Sequence, residues 1–224
     1  MVDNADLRLV RCRLQHSCVK RRASFLFILL CVALFQSGCV IQLSDSALSG
    51  PHSKTPVPVD FADPVLNRRQ ILVFGDIDEK LAERTIQKLL FLEGKSHESI
   101  DLYLMTPGGD LKSALAIEHV MRSIKSPVNT CALSECNSGG ALLLASGTGR
   151  RKAFRGAIVV VHGMKVRGKP PADMLQQMQD GYARFWRQRA RLPEAWLPLP
   201  QDVIHVLSAE QALEYHVVDE IIER

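Results

Sequence analysis

The sequence lacks a charge excess over most of its length, a hydrophobic run long enough to span a membrane, and a visible internal repeat. Its formal charge of +4 belongs to the N-terminus, because residues 1–38 hold six basic and two acidic side chains and 22 of each sign remain in residues 39–224. A neutral domain has no electrostatic basis for binding nucleic acid through phosphate contacts. A composition of 46% hydrophobic and 23% charged residues also excludes a collagen-like, low-complexity or wholly disordered chain.

The N-terminal segment has the order of an export signal. Residues 23–35 form one apolar block directly after three basic residues, as is typical of a signal peptide, and the block is shorter than the roughly 20 apolar residues of a spanning helix. Small residues then lead to Cys39, which resembles a lipoprotein processing site. We interpret residues 1–38 as a signal peptide or membrane anchor. The three outcomes are a lipoprotein acylated at Cys39, an uncleaved anchor and a soluble exported form. All three place the domain in the cell envelope or periplasm.

Residues 39–66, rich in Ser, Pro and Gly, are predicted to be a flexible linker, and residues 67–224 one domain of ordinary size. Two cysteines, Cys131 and Cys136, fall within this domain. They can form a disulfide in an oxidising compartment only if the chain turns between them, because bridged Cα atoms lie within about 7 Å of each other. A pair of unlinked buried thiols is the alternative. No further ligands stand at zinc-site spacing, so we expect neither a metal nor a cofactor.

Short apolar runs alternate with helical patterns along the domain. Strands are predicted at 71–74, 100–105, 128–133, 157–161 and 217–222, and helices after Asp78, at 111–124, 139–146 and 172–191, and after Ser208. This alternation is typical of an α/β fold with a mainly parallel sheet and flanking helices. Active sites of such folds lie at the carboxyl ends of the strands.

Three of these strand ends carry the groups that nucleophilic catalysis needs. The loop Thr106–Asp110 holds two adjacent glycines, which permit positive φ and close approach of a substrate to the backbone. Ser138 stands on a strand-to-helix turn before Gly139, beside the free N–H donors of a helix start. His162 directly follows a strand of β-branched residues. Taken singly, Ser138 is better explained as a helix N-cap and His162 as a structural residue. Together they indicate a nucleophile, a base and an oxyanion hole.

A longer series of motifs follows the same order from Arg69 onward. It comprises Leu90-Phe91-Leu92-Glu93, Thr106-Pro107-Gly108-Gly109, Ser138-Gly139-Gly140-Ala141, Ser146-Gly147-Thr148-Gly149-Arg150-Arg151, Val159-Val160-Val161-His162 and Leu207-Ser208-Ala209-Glu210-Gln211-Ala212. This series resembles the ClpP family of serine peptidases within the ClpP/crotonase superfamily. The resemblance implies a ClpP/crotonase-like fold, Ser138 as the nucleophile, His162 as the general base and the backbone N–H groups of Gly109 and Gly139 as oxyanion donors. It also implies peptide substrates and a homo-oligomer.

The third catalytic residue of the ClpP family is an aspartate shortly before the Leu-Ser-Ala run. Counting back from Leu207 places Ile204 at that position, whereas Asp202 lies two residues earlier on the same side of an extended chain. Asp202 is therefore our candidate for orienting His162. The alternative is a Ser–His dyad in which a backbone carbonyl holds the histidine.

We expect an exported, membrane-associated serine endopeptidase that hydrolyses peptides or unfolded envelope proteins. An ATPase partner is not expected, because ATP is not expected outside the cytoplasm. Two alternatives stay open. The first is a catalytically inactive ClpP-like module that binds peptides or partners, and the second is a signal-peptide-peptidase-like enzyme that pairs Ser138 with Lys165.

Overall fold

The computed structural model describes residues 58–166, 168–200 and 202–223, which belong to one compact unit. The predicted signal peptide or anchor at residues 1–38, the lipidation site Cys39 and most of the predicted linker lie outside the described residues. In the described ranges, no helix has both the length and the apolar character needed to cross a membrane.

Strands and helices alternate along the described part of the chain. The strands are β1 (Gln70–Phe74), β2 (Ile100–Thr106), β3 (Val128–Asn137), β4 (Arg151–Phe154), β5 (Ile158–His162), β6 (Ile204–Ser208) and β7 (Glu220–Ile222). The helices are α1 (Pro64–Asn67), α2 (Glu79–Lys95), α3 (Leu111–Ser123), α4 (Gly139–Ala145), α5 (Ala172–Arg189) and α6 (Ala209–Glu214), with a 3₁₀ turn at Glu194–Trp196. Helix α1 occupies the end of the predicted linker, where Leu66 is buried against the core.

The helix starts follow from capping side chains in the sequence. The Asp78 carboxylate accepts a hydrogen bond from the Leu81 N–H at 2.7 Å and begins α2, and Asp110 begins α3 in the same way by accepting from Ser113 N–H at 2.8 Å. An acidic cap satisfies an otherwise unpaired N–H and stabilises a helix start by roughly 1 kcal/mol. Ser208 begins α6 with a reciprocal capping box.

The sheet is mainly parallel, which confirms the predicted α/β class. Its path runs β1-β2-β3-β4-β7, and all four of these pairings are parallel. Strand β3 is long enough to serve two partners on one side: Thr130–Ala132 pair with β4, and Glu135–Asn137 pair with β5. Strand β6 then pairs antiparallel with β5. The carboxyl end of β3 is therefore attached to the antiparallel β5–β6 pair.

Helix α4 is enclosed by the core along its whole length. All seven of its residues are buried, and a side chain at Gly140 would place its Cβ 2.5 Å from Cγ2 of Thr106 on β2. Only glycine permits this approach of the helix to the sheet, since nonbonded carbons ordinarily stand about 3.5–4.0 Å apart. The start of α4 is thereby fixed against the carboxyl end of β2.

The two cysteines of the domain are unlinked. Cys131 and Cys136 are both free and buried, and both lie on strand β3. The β2–β3 register shifts between Ala132 and Cys136, so the strand is irregular between the two cysteines, but no bond joins their sulfur atoms. The alternative of two buried thiols is therefore the one found. Burial raises the pKa of the Cys131 thiol to about 11.

Candidate active site

Ser138 occupies a strained turn between β3 and α4. Its backbone has φ 54° and ψ −114°, in the half of conformational space that non-glycine residues avoid. Two hydrogen bonds hold it there: the Ser138 N–H donates to Val160 O at 2.8 Å, and Ser138 O accepts from Leu142 N–H at 3.1 Å. The side chain makes no capping bond to α4. Helix capping therefore does not explain the serine, and its hydroxyl has no hydrogen-bond partner in the described part of the chain.

The glycine loop before α3 is pressed against the same turn. Gly108 has φ 100°, and a Cβ placed on it would stand 2.8 Å from Ser138 Cβ. Gly109 has φ 152°, and the residues on either side of it bond to Ile77. The Ile77 N–H donates to Gly108 O at 2.8 Å, and the Ile77 carbonyl accepts from Asp110 N–H at 2.7 Å. These bonds leave the Gly109 N–H itself unused among the described residues.

The two predicted oxyanion donors lie beside each other. The amide nitrogen of Gly109 is 3.7 Å from the point where a Cβ of Gly139 would stand. Gly139 is the first residue of α4, so its N–H has no acceptor within the helix. The structure thus brings together Ser138, Gly109 and Gly139, as the sequence predicts, with two N–H groups available to a substrate oxygen.

His162 ends strand β5 next to this turn. The β3–β5 register pairs Asn137 with Val160, so Ser138 and His162 emerge from the carboxyl ends of adjacent parallel strands. Both side chains are half-buried. No hydrogen bond joins the Ser138 hydroxyl to the His162 imidazole.

The imidazole of His162 is oriented by a backbone carbonyl. Its Nδ1 lies 2.7 Å from Gly163 O. Because a carbonyl can only accept, the neutral ring must carry its proton on Nδ1, and Nε2 is left as the free base. This is the tautomer that a general base needs.

Asp202 is not brought to His162. It is exposed, just before β6, and no hydrogen bond or ion pair links the two side chains in the described residues. Ile204 stands directly across from His162 in the β5–β6 ladder. The position that counting identifies is therefore the cross-strand neighbour of the histidine, and it carries no carboxylate. The arrangement found is the alternative one, with Gly163 O as the acceptor.

A hydrogen bond between Tyr182 and the backbone of His162 was not predicted from the sequence. The Tyr182 hydroxyl on α5 donates to His162 O at 3.1 Å. The sequence places Tyr182, Phe185 and Trp186 at helical spacing, and in the structure both rings of Tyr182 and Phe185 meet Trp186 edge-on. That spacing predicts that one face of α5 is buried. It does not predict that this face packs against the end of β5.

The other candidate groups do not add to the site. Lys165 is exposed, three residues beyond His162. Among the described residues, no three His, Cys, Asp or Glu side chains are grouped so as to hold a metal ion.

Comparison with known proteins identifies the family to which the sequence belongs. A sequence model of Clp protease matches residues 53–224, which is more than half of the chain. The chain belongs to the Clp protease family. A relative within it, the ATP-dependent Clp protease proteolytic subunit of Deinococcus radiodurans, is 28% identical over 174 residues, which cover 74% of this chain and 85% of the relative. The predicted resemblance is confirmed, and with it the expectation of a ClpP-like fold and of peptidase function at the level of the family.

Proposed function

We propose that this Clp protease family member is a serine endopeptidase in which Ser138 is the nucleophile and His162 the general base. The observation that carries the proposal is the backbone of Ser138, held at φ 54° without a capping bond and between two glycines with unused N–H groups. Backbone strain at a non-glycine residue costs of order 1–3 kcal/mol and concentrates at functional sites. Helix capping does not explain this strained backbone, because the Ser138 side chain makes no capping bond.

The chemistry uses the groups in sequence. His162 Nε2 takes the proton of the Ser138 hydroxyl while Oγ bonds to the substrate carbonyl carbon. The carbonyl electrons move to the oxygen, which is stabilised by the N–H groups of Gly109 and Gly139. Collapse of this intermediate breaks the peptide bond, and His162 returns its proton to the leaving amine. Water then attacks the acyl-enzyme with His162 again as base, and releases Ser138.

The Gly163 carbonyl replaces the carboxylate of a triad in this proposal. A neutral acceptor fixes the tautomer and direction of the ring, but it stabilises the imidazolium formed during the reaction less than a charged partner does. A dyad of this kind therefore works at a lower rate than a full triad. Ser138 and Lys165 as a pair have weaker support, because Lys165 is exposed whereas His162 ends the strand adjacent to the serine.

The proposed setting is the cell envelope, with peptides or unfolded envelope proteins as substrates and no ATPase partner. It rests on the apolar block of residues 23–35 and its basic flank. Family members assemble into oligomers, and a homo-oligomer is proposed here too. Membrane fractionation of the full chain, with a Cys39→Ser variant, tests the location: recovery of the protein in the cytosolic fraction would contradict it.

Labelling of the full chain with a serine-directed fluorophosphonate tests the enzyme proposal. We expect wild type to be labelled, and Ser138→Ala and His162→Ala to lose the label. Ser134→Ala is the matched control, because Ser134 is an exposed serine on β3, the strand that leads to Ser138. We expect this variant to be labelled like wild type. All variants are compared by thermal unfolding to confirm that they fold.

Each other result favours a different function. A folded wild type that is never labelled and cleaves no peptide favours the peptide-binding module. Labelling that survives His162→Ala but is lost in Lys165→Ala favours the Ser–Lys enzyme.

A further inference from the structure

The backbone around His162 is fixed from both sides by hydrogen bonds outside its own strand. The carbonyl of His162 accepts from the Tyr182 hydroxyl at 3.1 Å, and the N–H of Gly163 donates to Pro200 O at 3.3 Å. These two groups belong to the same peptide unit. The carbonyl that follows it, Gly163 O, is the one that holds His162 Nδ1 at 2.7 Å.

Gly163 has no freedom to move toward the loop that precedes β6. A Cβ placed on it would meet Leu199 O at 2.2 Å and Pro200 O at 2.7 Å. This loop therefore blocks one direction of displacement of the Gly163 peptide. On the α5 side, Tyr182 is the residue whose side chain bonds to the same peptide.

Tyr182 is itself well anchored. Its ring meets Trp186 edge-on, with centroids 6.1 Å apart, and Trp186 is fully buried in the core. Burial raises the pKa of Tyr182 to about 12, so its hydroxyl remains a donor across the range in which an enzyme works. A rigid neutral donor on a helix is suited to fixing a backbone carbonyl.

We propose that Tyr182 is the positioning residue for His162 and acts through the backbone. By holding His162 O it sets the peptide between His162 and Gly163, and thus the direction of the Gly163 carbonyl that selects the Nδ1-protonated ring. The inference deepens the proposed function and rests on it. In a site where no carboxylate reaches the histidine, α5 supplies the restraint that a third catalytic side chain otherwise provides.

Tyr182→Phe tests this proposal, because it removes one hydroxyl and keeps the ring packed on Trp186. We expect kcat on a peptide to fall roughly two- to tenfold with KM unchanged, the range that one net hydrogen bond supports.

Tyr103→Phe is the matched control. Tyr103 is a half-buried tyrosine on β2, near the side chain of Gln70, so Tyr103→Phe also deletes one tyrosine hydroxyl. We expect it to leave kcat and the His162 ring signals unchanged.

A second measurement reads the ring directly and needs no turnover. In the full chain labelled with 15N-histidine, the His162 signals are identified by their loss in His162→Gln. In Tyr182→Phe we expect the ring nitrogens to shift toward a mixture of tautomers.

The two proposals fail in different ways. Wild-type turnover in Ser138→Ala would refute the serine mechanism, and the ring signals would still decide the role of Tyr182. If Tyr182→Phe leaves the ring nitrogens unchanged, the positioning proposal is overturned, even where stability or kcat falls, because a residue that only supports packing would give that result.

Discussion

The sharpest test of the site is a single methyl group added at Gly108. In Gly108→Ala the new Cβ would stand 2.8 Å from Ser138 Cβ and 2.6 Å from Asn137 O. Carbon atoms in ordinary contact are about 3.5–4.0 Å apart, so Ser138 or the loop must move by about 1 Å. A misplacement of about 1 Å at reacting groups lowers the rate roughly 100-fold, which corresponds to about 2.7 kcal/mol of barrier.

Backbone strain must be separated from this steric effect. Gly108 has φ 100°, which is unfavourable for alanine whatever the surroundings. Gly75→Ala is the matched control, because Gly75 has φ 79° with no atom within 4 Å of the added Cβ. Both variants should lose of order 1–3 kcal/mol of unfolding free energy from the dihedral strain. Only Gly108→Ala should lose activity on that scale.

The assay is cleavage of a fluorogenic peptide, measured as kcat/KM beside thermal unfolding. We expect Gly75→Ala to remain within about twofold of wild type, since its strain is remote from the reacting groups. A folded Gly108→Ala with wild-type kcat/KM would show that the glycine loop does not press on Ser138. The description of the site would then be wrong.

Two further predictions concern the β6 region. Asp202→Asn should leave kcat within a few-fold of wild type, because Gly163 O already holds the His162 ring; a loss of several orders of magnitude would instead identify Asp202 as the orienting group. His205 is the second case: it stacks on Trp196 with centroids 3.7 Å apart, and burial lowers its pKa. Since the unfolded state then binds more protons, the unfolding free energy should decrease as pH falls below the ordinary histidine pKa of about 6.5. His205→Phe keeps the stacked ring and should flatten the change between pH 7 and 5 in chemical denaturation, and an unchanged slope would contradict the assignment.

Local sequence patterns were sufficient for the elements with strongly apolar sequences. The apolar run Ile71–Phe74 predicted β1, although only Ile71 and Val73 of the run are buried, and the small and apolar residues after Ser138 predicted α4, which is buried throughout. The turn at Ser138 followed as well, because a strand, a serine and two glycines in succession leave few other conformations. These elements were predictable because their apolar character is visible in a few consecutive residues.

Elements that depend on distant partners were missed. Strand β4 has a polar sequence in which only Ala153 is buried, and it forms because β3 and β7 flank it. Strand β6 is absent from the predicted strands, although its pairing with β5 sets Ile204 opposite His162. The same limit hid Tyr182, since its contact to His162 depends on how α5 docks and not on its own sequence. Asp202 was predicted from its distance along the chain to Leu207. That distance does not show which β6 residue pairs with His162.

Because β3 pairs with β4 and β5 through different residues, the active site can be disrupted without unfolding the domain. Three residue pairs between β3 and β5 join the strand that bears His162 to the strand that leads to Ser138. The other parallel pairings of the sheet, β1-β2, β2-β3, β3-β4 and β4-β7, do not involve β5. A fault confined to those three pairs can part the two reacting groups while the rest of the sheet stays intact. In this protein, therefore, a high melting temperature is no guarantee of a competent enzyme, and variants have to be judged by turnover as well as by resistance to heat.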